Sequence, residues 1–281
     1  MKYESIEQKI LRIIYPPVLY LFICIGTQFV VSTILISSDI KNTDVAGINA
    51  SASAGYMDHI NKMIAEHSVL MNCISATIGL IIFGIILKKD FTSEKDFSIK
   101  KCLKEIKIEN LLNAYGIGLT AATGISLFVS ILPIDNIIGS YETTSELLLN
   151  GDFIYLFVVL GIIVPLTEEI IYRGLIYNRV KKYLDVNKAI LISSLLFGIF
   201  HFNLMQGVYA FIIGIIMGYL YHKYNSILAP VALHMAVNQL TVIFNCTGIS
   251  NALNGNIIIY IMCMVISLAI GVFLIFRTIK S

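Results

Sequence analysis

Long apolar runs without alternation, separated by short polar loops, fill this chain from about residue 13 to residue 276. A backbone in lipid must satisfy its own hydrogen bonds, so only helices or a closed barrel can cross. Barrel strands alternate with period two, and these runs do not. The expected fold class is therefore all-α, a polytopic membrane helix bundle with about eight transmembrane helices. They are expected near 13–38, 68–88, 111–134, 152–180, 188–205, 206–222, 226–246 and 256–276, with a short turn around Met205–Gly207 joining the fifth and sixth. Composition agrees: 57% of the residues are hydrophobic and 14% charged, too apolar a chain for a water-soluble core of this size. Pro16 and Pro17 fall early in the first run, where a helix start or kink is tolerated. That run exceeds a signal-peptide core and is expected to be retained as a span in a multi-pass protein of the cell membrane.

Lysine and arginine set the orientation. With both termini cytoplasmic, Lys2, Lys9 and Arg12, the lysines of 88–107, and Arg179, Lys181, Lys182, Lys188, Lys223, Arg277 and Lys280 all lie inside. Lys41 and Lys62 lie outside, among Asp39, Asp44, Asp58, Glu66, Asp135, Glu142, Glu146 and Asp152. A single membrane domain of 1–281 is expected. Its N-terminal helices fill 1–150, with a cytoplasmic interfacial segment at 89–110, a catalytic helix core at 151–247 and a last span at 256–276. Within that segment, 97–110 place Ile99, Cys102, Leu103 and Ile106 on one face with lysines opposite. The outer loop 40–66 has room for a short amphipathic helix near Tyr56–Ile64. The five cysteines are scattered without metal-site spacing, which argues against a disulfide framework or a cysteine-zinc site.

Ionisable groups within a span are costly and mark function. The fourth span holds Thr167, Glu168, Glu169 and Arg173, the fifth His201 and Asn203, and the seventh His234, Asn238 and Gln239. Glu168 lies thirteen residues from Lys181, His201 thirteen from Lys188, and His234 eleven from Lys223. At about 1.5 Å per residue, these groups share a depth of roughly 16–20 Å. Glu169 and Arg173 are four apart and can neutralise each other, while Glu168 is turned about 100° away. His234 and Asn238 share a face, and Phe197 lies on the face of His201. A carboxylate taken out of water is a stronger base and can activate water held by an imidazole. A second histidine with an asparagine can donate to a developing oxyanion. The same groups can also bind a metal through two histidines and one glutamate, and spacing alone leaves both open.

Thr167-Glu168-Glu169-Ile170-Ile171-Tyr172-Arg173-Gly174 resembles the Glu-Glu-x-x-x-Arg motif of the CPBP family, the CAAX prenyl-protease-like and bacteriocin-processing intramembrane endopeptidases also called type II CAAX or Abi proteins. Phe197 to His201 resembles its Phe-x-x-x-His motif, and His234 to Asn238 its His-x-x-x-Asn motif. The resemblance covers roughly 155–240 and departs at Leu204, where many members have proline. It implies an intramembrane endopeptidase hydrolysing a peptide bond. Glu168 and His201 would act on the water and His234 and Asn238 on the oxyanion, with Glu169, Arg173 and Phe197 supporting. No cofactor is favoured, and a glutamic-type reaction is preferred. Zinc is compatible, with Glu168, His201 and His234 as ligands. The implied partners are the lipid bilayer and a membrane-associated substrate, either a prenylated tail or a leader peptide, and no nucleic acid. The alternative is a non-catalytic partner-binding or immunity protein of the same fold. Gly214 and Gly218, like Gly116, Thr120 and Gly124, are expected to pack helices closely.

Overall fold

The computed structural model describes residues 4–42, 50–92, 105–131, 151–247 and 257–280. Among the described residues the chain is helical and has no strand: α1 Ile6–Asn42, α2 Ala50–Glu66, α3 Ser68–Thr92, α4 Ile108–Ile131, α5 Phe153–Lys181, α6 Val186–Ile199, α7 Leu204–Tyr224, α8 Leu228–Thr247 and α9 Ile257–Lys280. Six of the described helices, α1, α3, α5, α7, α8 and α9, are long and apolar enough to cross a membrane. The chain is a multi-pass membrane protein. Most of the amphipathic face expected at 97–110 lies outside the described residues, as do Asp44, Asp135, Glu142 and Glu146.

Burial separates the centre of the bundle from its rim. The most apolar window of α8 is 56% buried, against 6% for α1 and 11% for α9. The rim helices expose Phe22, Phe29 and Ile34 on α1 and Val272, Phe273 and Phe276 on α9, side chains suited to lipid contact. Close approaches set the interior. A Cβ on Gly118 of α4 would stand 2.3 Å from the Leu233 carbonyl oxygen, so α4 meets α8 backbone to backbone. The Gly116–Gly124 face packs on α9, where the Ser267 hydroxyl donates to the Thr120 carbonyl at 2.8 Å. Gly214 and Gly218 pack on Ser194 and Ile190 of α6.

The expected fifth span is shorter than the sequence pattern implies. Helix α6 has 14 residues, about 21 Å at the α-helical rise, against a hydrocarbon core of about 30 Å. Its chain turns back at 200–203 rather than at Met205–Gly207, which lie inside α7. Phe202 has φ 54°, in the left-handed region that stops a helix. The Asn203 side chain then caps α7 by accepting from the Gln206 N–H at 3.1 Å. The turn's own N–H groups are occupied: Phe200 donates to Leu196, His201 to Gly198 and Phe202 to Ile199. The tip carries His201 and Asn203 beside Phe200 and Phe202.

Helix α5 is not uniformly α-helical. It widens to π-helix at Val159–Ile163 and again at Ile170–Tyr177. A π-turn shifts the hydrogen-bond register and leaves carbonyls in need of donors. Side-chain amides supply them. Asn238 reaches the Leu160 carbonyl at 2.9 Å and Gln239 the Gly161 carbonyl at 3.4 Å. In the second π segment, Asn178 donates to the Arg173 and Gly174 carbonyls at 3.0 and 2.8 Å.

Candidate active site

The middle of α5 carries Thr167, Glu168, Glu169 and Arg173. The Thr167 hydroxyl bonds the Ala76 carbonyl of α3 at 2.9 Å, which anchors this stretch laterally. Arg173 and Glu169 are both fully buried and pair through Nη1 and Oε1 at 2.8 Å. The other arm of the guanidinium, Nη2, donates to the Gly214 carbonyl of α7 at 3.0 Å. A charge with no route to water is thereby held by an opposite charge and a backbone dipole.

His234 of α8 enters between the two glutamates. Its Nδ1 lies 3.0 Å from Glu169 Oε1, and its Nε2 lies 3.5 Å from Glu168 Oε2. The sequence expectation turned Glu168 and Glu169 in different directions, with Glu169 serving Arg173. In the structure one imidazole reaches both carboxylates and Glu169 serves both partners. The result is a chain Arg173–Glu169–His234–Glu168 across two helices. Glu169 is closed off, whereas the Glu168 side chain retains 19% exposure and so can meet a substrate or water.

His201 lies in the turn after α6 rather than in a helix. Its Nδ1 is 2.6 Å from the Phe197 carbonyl. A carbonyl can only accept, so Nδ1 carries the proton and Nε2 is left as the available nitrogen. The Phe197 ring packs edge-on against His201, His234 and Tyr172, with centroids 4.8, 5.4 and 5.0 Å away. The Arg173 guanidinium lies over the same ring at 5.0 Å. This phenyl therefore spaces the two imidazoles and the cation. One amide hydrogen of Asn238 is committed to the Leu160 carbonyl of α5, which leaves the second hydrogen and Oδ1 for other partners.

The structure thus brings Glu168, Glu169, Arg173, Phe197, His201 and His234 into one buried cluster and ties Asn238 to the helix that carries the glutamates. Gln239, counted in sequence among the polar residues of its span but given no role, is joined to Tyr115 of α4 at 2.6 Å. Nothing local in the sequence hinted at Tyr115. The donor chemistry suits zinc: Glu168, with His201 and His234 each oriented through Nδ1, leaves two Nε2 nitrogens for an ion. Glu169 supplies the acid that orients His234. Among the described residues, no three histidine, cysteine, aspartate or glutamate side chains stand at metal-ligand spacing.

Residues 150–240 match the family described as type II CAAX prenyl endopeptidase Rce1-like. Over 96 residues, 34% of this chain, the sequence is 31% identical to the "Putative membrane peptidase YdiL" of Bacillus subtilis (strain 168), covering 39% of that protein. It is 33% identical over 81 residues, 28% of this chain, to the "UPF0177 protein YxdF" of Lactococcus lactis subsp. lactis (strain IL1403), covering 44% of it. The chain spans about two fifths of the length of these curated relatives. No solved structure matches. Residues 150–240, which hold all three motifs, are thus similar to the Rce1-like type II CAAX prenyl endopeptidases.

Proposed function

We propose that the protein is an intramembrane endopeptidase that hydrolyses a peptide bond of a membrane-associated peptide, with Glu168 as the base for water. The observation that carries this is the placement of one partly open carboxylate against an imidazole whose far nitrogen is fixed by a second, closed carboxylate. Glu168 accepts a proton from water, and the resulting hydroxide attacks the substrate carbonyl carbon. His201 Nε2 accepts from the same water and holds it in line. The His234 ring, held at Nδ1 by Glu169, can donate from Nε2 to the oxyanion when both ring nitrogens hold protons. The free amide hydrogen of Asn238 is a second candidate donor. On collapse, Glu168 returns its proton to the leaving amine. If zinc is bound, Glu168, His201 and His234 would hold it, and it would supply Lewis-acid polarisation; the residue roles above are argued without it.

A CAAX-type prenylated tail fits the family description, and a leader peptide undergoing maturation is the other substrate class of the same reading. Comparative mass spectrometry of membrane peptides from cells carrying wild type or Glu168→Ala tests this. An intact precursor is expected to accumulate only in the variant. Identical peptide pools, with both proteins present in membranes, would instead support a non-catalytic partner-binding protein.

A further inference from the structure

The amides Asn238 and Gln239 lie one turn beyond His234 on α8, and both grip α5 where it widens into its first π segment. Gln239 is almost fully buried. Its Nε2 faces the Gly161 carbonyl at 3.4 Å, while its Oε1 accepts from the Tyr115 hydroxyl of α4 at 2.6 Å. That second bond fixes the amide's orientation, because a hydroxyl donating to Oε1 leaves only Nε2 to face the carbonyl. Contact is close: a Cβ on Gly161 would stand 2.7 Å from Gln239 Cγ, so the glycine makes room for this side chain. Helix α4 is in turn pinned to α8 at Gly118, three residues beyond Tyr115. Helix α8 therefore holds α5 at two points, at Gly161 through Gln239 and at Glu168–Glu169 through His234.

Between those points lie the end of the π segment and one and a half α-helical turns. A π segment adds a residue to a turn and rotates everything beyond it. Returning Gly161 to α-helical register would swing both glutamates relative to His234. We infer that Gln239, locked by Tyr115, is a positioning residue that maintains the π register of α5 and thereby the Glu168–His234–Glu169 geometry. The inference rests on the hydrolytic reading only for its effect on rate; its structural content stands apart from it. It also gives a role to α4, which lies outside the residues 150–240 that match the family.

The test uses full-length protein in lipid nanodiscs, labelled with ¹⁵N-histidine, and a farnesylated CAAX-type peptide as probe. The variants are Gln239→Leu, Gln239→Met, which keeps volume without an amide, and Tyr115→Phe, which deletes one hydroxyl. Thr241→Val on the same helix is the control, since its hydroxyl bonds its own helix at Val237. The expected result is a changed ¹⁵N pattern for the His234 ring in all three variants, with Thr241→Val matching wild type. For the peptide, kcat should fall between about ten- and a hundredfold in Gln239→Leu, with KM within about twofold, as for a small misplacement of reacting groups. Tyr115→Phe should fall less, and the double variant no further than Gln239→Leu. A wild-type His234 ¹⁵N pattern in Tyr115→Phe and Gln239→Met overturns the inference. So does a rate loss in Thr241→Val equal to theirs, which would mark a general loss of packing. If wild type leaves the peptide intact while the His234 signals respond as expected, the positioning role stands and the prenyl-peptidase reading fails.

Discussion

Glu169 and Arg173 neutralise each other with no exposure to solvent, and each has a further partner, His234 for one and the Gly214 carbonyl for the other. Removing either side chain strands the other charge in a low-dielectric site, at a cost of about 3–5 kcal/mol. Glu169→Ala and Arg173→Ala are therefore expected to lower accumulation in membranes and the thermal midpoint in detergent. Glu168→Ala is expected to retain both, because that carboxylate is partly open. Equal stability in all three variants would contradict this division of roles. A second expectation concerns metal. With Glu168 as base, hydrolysis should survive exhaustive chelation verified by elemental analysis; loss on stripping and recovery with stoichiometric zinc would make Glu168, His201 and His234 ligands. The pairing of Glu169 with Arg173 was legible in sequence because four residues is one helical turn. The second partner of Glu169 was not, because it comes from α8, 65 residues away.

At the scale of elements, hydrophobic runs located most helices to within a few residues, since lipid demands long apolar stretches. They misjudged α6 and its turn. Neither glycine nor proline marks 199–204, and the left-handed Phe202 and the Asn203 cap end the helix there. The π segments of α5 were invisible for a related reason: hydropathy reports burial and carries no information on which carbonyl each N–H chooses. Glycine spacing was more informative, and the α4–α8 contact turns it into a prediction. Gly118→Ala places a Cβ against the rigid Leu233 carbonyl, so the two helices must separate. A loss of roughly 1–3 kcal/mol is expected, the usual cost of overpacking. Gly26→Ala, with open space around it, should leave stability unchanged or slightly higher. Thermal unfolding of the two variants side by side decides the matter; indistinguishable midpoints would refute the close approach.

At the scale of the whole molecule, positive charge gathers at one end of the bundle, where it also has structural tasks. Arg179 is nearly buried there and joins Asp90 of α3 at 2.7 Å to Tyr15 of α1 at 2.8 Å. Both termini are expected on the cytoplasmic side, since the α6–α7 hairpin returns the chain to the side it left, so reporters fused after Lys62 and after Ser281 should report opposite sides. The same side for both would overturn that topology. The central claim is that the buried cluster uses Glu168 to add water across a peptide bond. The most direct measurement is cleavage, in ¹⁸O-water, of the precursor that accumulates in Glu168→Ala cells, comparing purified wild type with that variant in vesicles. The account predicts one ¹⁸O in the new carboxylate of the wild-type product and a rate at least about a hundredfold lower in Glu168→Ala, as expected for loss of a general base. Cleavage by Glu168→Ala at the wild-type rate would contradict it.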